Sequence, residues 1–169
     1  MEKSTPIWRE LTPNDINGLV QMANIVHIDL PERAEVFTER VKLFPRGNLA
    51  LVDDNDKLCG YAISHPIYHD QPPALNSLLG EIATNADQYY IHDVCVSPVW
   101  RGYGLAVQGV KILLGVANEY PTTALVSVYG TASFWGRFGF APPAAIEESL
   151  SAKLRGYGDD AVYLVRSKE

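Results

Sequence analysis

Several features are scarce or missing in this sequence, and each absence excludes a class of protein. No window approaches the roughly 18 apolar residues that a membrane-spanning helix needs, so no membrane partner is expected. The opening MEKSTPIWRELTPND has no apolar core behind a basic end, and a cytoplasmic protein is the expectation. Basic residues are outnumbered: 14 Lys and Arg stand against 20 Asp and Glu, for a formal charge of −6. A nucleic-acid surface calls for a basic patch or stripe, so nucleic acid is excluded and a cationic small molecule or peptide amine is the more fitting partner. Cysteine is nearly absent. Cys59 and Cys95 lie in strand-like runs without a close C-x-x-C spacing, which reads as small buried hydrophobes and not as a disulfide framework or a zinc site. Internal repeats, low-complexity tracts and Gly/Ser linkers are missing as well, so a single domain over residues 1–169 is expected.

What is present is 47% hydrophobic residues in 169, enough for a substantial core. PIWREL reads as a first strand. Thr12, Pro13 and Asp15 then offer an N-cap, a proline at the first helical position and an acid three residues past the cap. Ile16, Leu19, Val20, Ala23 and Val26 follow at helical spacing. Asp29 and Pro31 can start a second helix with Phe37, Val41 and Phe44 inward, which Pro45 and Gly47 stop; Glu32, Glu35 and Glu39 then form a solvated acidic face. NLALVDDNDKLCGYAISH reads as a hairpin around Asp53 to Asp56.

A long connection follows from Pro66 to Gln88, with one helical turn expected at Ala74 to Leu79. Loops of that length are often lids or binding loops, and this one, with Glu81, is expected to form part of an acceptor pocket. HPIYHD, where the connection begins, contains His65, His69 and Asp70, but Pro66 forbids the helical geometry that would bring both histidines to one face, so no metal is expected.

YYIHDVCVSP is the next strand. Period-two alternation puts Tyr90, His92, Val94 and Val96 on one face and Tyr89, Ile91, Asp93 and Cys95 on the other, so only one of His92 and Asp93 can reach a given cleft. After Pro98 comes a turn with Arg101, Gly102 and Gly104, then a mostly apolar helix from about Tyr103 with one polar stripe through Gln108, Lys111, Gly115, Asn118 and Glu119. TTALVSVYG is a strand, TASFWGRFGF a short helix ended by Gly139, a further helix is expected between Pro143 and Gly156, and DAVYLVRS closes as a strand. The fold class is α+β, a mixed sheet flanked by helices.

The glycine turn can hold an anion, because the first N–H groups of a helix have no intrahelical partners and the helix dipole favours negative charge there. Arg101 adds a cation suited to phosphate oxygens. A Walker loop is excluded, since Leu105 and Ala106 follow Gly104 where Lys and Ser/Thr are needed. A dinucleotide fingerprint has Val107 in place of its last glycine, which leaves a dinucleotide-dependent oxidoreductase as a weak competitor.

What remains is Arg101-x-x-Gly104-x-Ala106 after the strand IHDVCVSP. This resembles the Q/R-x-x-G-x-G/A signature of the GNAT superfamily of N-acetyltransferases, and TASFWGRFGF is similar to a later family segment of the type A-x-x-F-Y-x-x-x-G-F. The resemblance implies a GNAT-like, mostly antiparallel sheet and acetyl-CoA as cosubstrate. It implies that the pyrophosphate is held by the backbone of Arg101, Gly102, Tyr103, Gly104, Leu105 and Ala106. It further implies that the pantetheine arm pairs with main-chain groups of Val94, Cys95 and Val96, and that Thr131, Phe134 and Trp135 line the far side of the channel.

The implied reaction is direct acetyl transfer to a primary amine, with a small-molecule or peptide amine as acceptor; a homodimer is compatible with it. The family's usual acid, a tyrosine after the Phe of the late segment, is Trp135 here, and an indole N–H is no proton-transferring acid at neutral pH. Tyr129 is the nearest substitute. For the base, Asp93 or a water that it holds is favoured, with His92 the other candidate, since the fifth strand carries Ser127 where some relatives have glutamate. The alternative reading is a non-catalytic acyl-CoA-binding sensor on the same fold.

Overall fold

The alternating apolar runs assemble into one six-stranded sheet in a computed structural model that describes residues 3–168. The strands are β1 (Ile7–Glu10), β2 (Leu49–Val52), β3 (Leu58–Ile67), β4 (Gln88–Val96), β5 (Thr122–Ser127) and β6 (Val162–Ser167), and they lie side by side in chain order. Every neighbouring pair is antiparallel except β4 and β5, which run parallel. That exception follows from the connection: a parallel pair needs a crossover, here α3 (Leu105–Ala117). The expected α+β class with a mixed, mostly antiparallel sheet is what the chain adopts. Among the described residues no helix is long and apolar enough to cross a membrane.

Helices cover both faces. On one, Val110 and Leu113 of α3 meet Tyr89, Ile91 and Leu125; on the other, α1 (Ile16–Val26) and α2 (Ala34–Leu43) bring Leu19 and Phe37 against Tyr61 and Ile63. Fully burying each such side chain is worth roughly 1.5–3 kcal/mol, so both clusters help to hold the layers together. α1 opens as expected, with the Thr12 N–H donating to the Asp15 carboxylate at 2.8 Å. α3 keeps its polar stripe outward, with Gln108, Lys111, Gly115, Asn118 and Glu119 all exposed.

Three expected helices differ. α2 starts at Ala34 and not at Asp29 or Pro31, because Arg33 is extended (φ −71°, ψ 151°) and its N–H donates to the Asn76 side chain at 2.8 Å. The turn expected at Ala74 to Leu79 is not helical: Asn76 adopts a left-handed φ of 60°, its N–H donating to Glu32 at 3.0 Å. The last helix, α5 (Glu148–Arg155), begins well after Pro143. The short helix α4 (Ala132–Gly136) lies where it was expected.

The most consequential difference lies in β4. Its register with β3 slips, Ile63 facing Asp93 and Ser64 facing Ile91, so His92 is the extra residue of a β-bulge. A bulge offsets alternation by one. Tyr89, Ile91 and Val94 pack on the α3 side, while Tyr90, His92, Asp93 and Cys95 share the other face. His92 and Asp93 are therefore neighbours on one face, correcting the expectation that only one could reach the cleft.

Candidate active site

Pairing between β4 and β5 ends at Ile91 opposite Leu125, whereas β4 continues on β3 until Val96 opposite Gly60. The two parallel strands part just where the bulge falls, and β4 has a free edge beyond it. The Ser97 N–H donates to the Cys59 carbonyl at 2.8 Å, so strand alternation turns Cys95 toward β3 and leaves the main-chain groups of Val94 and Val96 facing the gap. An extended ligand could add itself to that edge as a strand does.

Two cavities meet at this opening, and both are bordered by His27, His92, Asp93, Val126 and Val128. His92 Nε2 lies 2.5 Å from the Glu32 carboxylate, with side chains only 3% and 8% exposed. Its other nitrogen, Nδ1, is buried and has no hydrogen-bond partner among the described residues. A carboxylate on one ring nitrogen fixes the tautomer and leaves the other as the proton acceptor. Burial disfavours the Glu32 carboxylate, but the His92 ring and the Asn76 N–H outweigh it, and its pKa is held below the usual range.

Asp93 is engaged differently. It accepts the Tyr61 hydroxyl at 2.7 Å, and His27 Nε2 stands 2.9 Å away as an ion pair without the alignment of a hydrogen bond. Burial favours the neutral His27 ring, yet Asp93 and Glu32 together raise its pKa above the ordinary value. His27 caps the C-terminus of α1 and stacks parallel to Tyr129, ring centroids 5.6 Å apart. Tyr129 follows β5 in a left-handed conformation, φ 56°, and borders the outer cavity with Thr131, Phe134 and Trp135. Burial and the carboxylates of Asp29, Asp93 and Asp160 raise the Tyr129 pKa, so its hydroxyl keeps its proton at neutral pH. Ser127 is occupied with Thr131, their hydroxyls 2.9 Å apart.

The glycine turn lies past the end of β4. Gly102 and Gly104 have φ of 87° and 74°, conformations that side chains disfavour, and a Cβ at either would meet nothing within 4 Å. Both glycines thus serve the backbone path, and the space before the helix stays open. Gly104 caps α3, and the first intrahelical bond to it comes from the Gln108 N–H at 3.1 Å. The N–H groups ahead of Gln108 at the helix start have no intrahelical acceptor. Arg101, Gly102, Tyr103 and Gly104 are all exposed; Leu105 is buried and Ala106 half-buried.

Three other residues singled out in the sequence lie away from this opening. His65 is fully buried against Tyr90, Asp70 accepts the Tyr163 hydroxyl, and Glu81 borders a separate groove beside Lys153. The long loop reaches the cavity through Leu75 instead. The supposed acidic face also divides: Glu35 is solvated, Glu39 accepts the Leu79 and Gly80 N–H groups at 2.7 and 3.0 Å, and Glu32 turns inward. Glu32 and His27 are thus members of the site that pattern reading missed. The only sequence signal for Glu32 was its position directly after Pro31, where a helix start and an extended segment look alike.

A family profile described as the acetyltransferase (GNAT) family matches residues 19–140. Solved structures share the fold at low identity. Ard1 from Thermoplasma volcanium is 13% identical with a TM-score of 0.70, covering 98% of this chain and 99% of its own. N-acetylglutamate synthase from Neisseria gonorrhoeae, complexed with coenzyme A and N-acetyl-glutamate, is 16% identical with a TM-score of 0.73 over 99% of this chain and 36% of its own. YhbS from Escherichia coli, in complex with CoA, is 18% identical with a TM-score of 0.60, over 100% of this chain and 85% of its own. No curated protein sequence matches.

Proposed function

Because the chain belongs to the acetyltransferase (GNAT) family, we propose that it moves an acetyl group from acetyl-CoA directly to a primary amine, as a single domain covering residues 1–169. The observation that carries the catalytic part of this reading is His92, held by Glu32 on one nitrogen and unpartnered on the other, where β4 and β5 separate. The solved relatives complexed with CoA support the cosubstrate.

In this reading the pyrophosphate sits on the turn from Arg101 to Ala106, and the pantetheine arm lies along Val94 and Val96, with Thr131, Phe134 and Trp135 across the channel. Cys95 contributes its side chain to the opposite core and no main-chain contact to the arm. An amine with a pKa of about 10 is about a thousandfold more often protonated than neutral at pH 7, so a base must act before attack. His92 Nδ1 takes that proton, and the ionised Glu32 stabilises the imidazolium. Asp93, already accepting from Tyr61 and paired with His27, positions His27 and is not the base. The nitrogen then bonds to the acetyl carbon while the Val94 N–H receives the developing oxyanion. The C–S bond breaks, the second proton of the nitrogen passes to the leaving thiolate to give the amide and the CoA thiol, and the Tyr129 hydroxyl donates a hydrogen bond to that sulfur as it leaves.

Thermal unfolding tests the ligand assignment. Acetyl-CoA at about a hundred times its dissociation constant should stabilise the fold by roughly 2.7 kcal/mol, whereas NAD and ATP should not. A thiol-release assay with an amine panel follows. Binding without turnover would move the protein to the sensor reading, and no shift with acetyl-CoA would remove the enzyme reading.

A further inference from the structure

We infer that the acceptor is an amine with no carboxylate beside its nitrogen, carried on an apolar arm; this rests on the acetyl-transfer reading above. The side of the site facing away from α3 is bordered by His27, Glu32, His92 and Asp93 together with apolar side chains, among them Leu30 and Leu75. Among the described residues, no lysine or arginine borders either cavity. While both carboxylates are ionised, the charge of this wall is negative or zero whichever imidazole is protonated, and never positive. Both rings are already matched, His92 by Glu32 and His27 by Asp93.

The nearest cations do not change this. Arg40 has a fully buried side chain, and its guanidinium donates to Glu39 at 2.7 Å and to the Ser77 carbonyl at 3.0 Å. Arg33 is half-exposed and tied to Asn76. A free amino acid entering nitrogen-first would bring its carboxylate within a few ångströms of Glu32 and Asp93 with no cation to receive it. Burying an unpaired charge beside like charges is the repulsive half of specificity. An ammonium group meets the opposite situation: the two carboxylates attract it, and the apolar wall receives the chain behind it.

The test uses the intact protein and three acceptors of one shape: isoamylamine, 1,3-dimethylbutylamine and leucine. The second keeps a branch on the carbon bearing nitrogen and lacks the charge, which separates repulsion from crowding. Acetyl-CoA binding is measured first by thermal shift, and kcat/KM for each amine second. Leucine is expected to fall at least about tenfold below both amines, the scale on which like-charge contacts discriminate. A ratio below tenfold between leucine and 1,3-dimethylbutylamine overturns the inference, as does a bound acetyl-CoA with no turnover of either amine. A failure of acetyl-CoA to bind removes the acetyl-transfer reading itself, and the inference falls with it.

Discussion

His92 and Glu32 are 60 positions apart in the chain and meet at 2.5 Å with both side chains nearly buried. The contact joins the bulge of β4 to the extended segment ahead of α2, so neither element alone makes the site. If His92 is the base, His92→Gln should lower kcat by about 10²- to 10⁴-fold while acetyl-CoA binding, read by thermal shift, stays as it was. Glu32→Gln should lower kcat less, because the base remains and only its orientation and charge support are lost. A His92→Gln enzyme within tenfold of the parent would return the role to Asp93.

The His27–Asp93 pair predicts a pH signature. The folded-state pKa of His27 is raised above its ordinary value of about 6.5, so its contribution to stability is fully present below that value and fades as pH rises through the folded pKa. Asp93→Asn removes the partner. The melting-temperature difference between the parent and Asp93→Asn should therefore be larger at about pH 5.5 than at about pH 9. The amide oxygen can still accept from Tyr61, and the weakening of that bond from charged to neutral acceptor adds the same offset at both. Equal differences would mean that His27 is neutral across the range.

Much of this molecule was legible in advance, for a physical reason. Strand alternation, the glycine turn and the helix stripes are local signals, set by neighbours a few residues away, and the six strands and α3 lie where those signals placed them. The site was legible only in part. Alternation counted along YYIHDVCV assumes no bulge, and nothing in eight residues announces that His92 is the inserted one. Glu32 looked like one tooth of an acidic helix face, because its true partners, His92 and Asn76, are brought to it by tertiary packing. Tyr129 stands out only as the nearest tyrosine to the one that the family pattern lacks here, whereas His27, a residue past the end of a helix, has neither pattern nor periodicity to mark it.

Gly109 sets two effects against each other. Alanine would gain about 1 kcal/mol in helix propensity over glycine inside α3. Its Cβ, however, would lie 2.6 Å from the Trp8 ring, whose Nε1 donates to the Leu105 carbonyl at 2.9 Å and fixes the ring in place. Overpacking of this kind costs typically 1–3 kcal/mol. Gly109→Ala should therefore be less stable than the parent in urea unfolding; a rise in the midpoint would show that Trp8 can move aside.

The turn before α3 separates backbone from charge. Gly104→Ala meets no steric contact, so its cost is that of a left-handed conformation, roughly 1–2 kcal/mol. It should weaken acetyl-CoA binding as well, because the N–H groups it orients are the proposed pyrophosphate donors. Arg101→Gln should leave the unliganded melting temperature within error, since Arg101 is exposed. Its acetyl-CoA affinity should fall by about tenfold or more and lose part of its salt dependence. Unchanged affinity in both variants would put the cofactor elsewhere.

Tyr129 bears on how the thiolate leaves. A thiol of ordinary pKa, about 8.5, is more acidic than a phenol of about 10, so complete proton transfer from tyrosine to thiolate is uphill. The raised pKa of Tyr129 makes it more so. Its contribution must then be a hydrogen bond to an anion, worth about 1.5–3 kcal/mol, which corresponds to a loss of roughly ten- to a hundredfold in kcat for Tyr129→Phe. Phenylalanine keeps the ring stacked on His27 and should leave the melting temperature unchanged, so the loss would be chemical and not structural. An acyl donor with a more acidic thiol leaves more easily and needs less help. The ratio of parent to Tyr129→Phe rates should accordingly shrink as the thiol pKa of the donor falls. A ratio that does not change with the leaving group would mean that Tyr129 acts on the acceptor side, through His27, and that the thiolate departs without it.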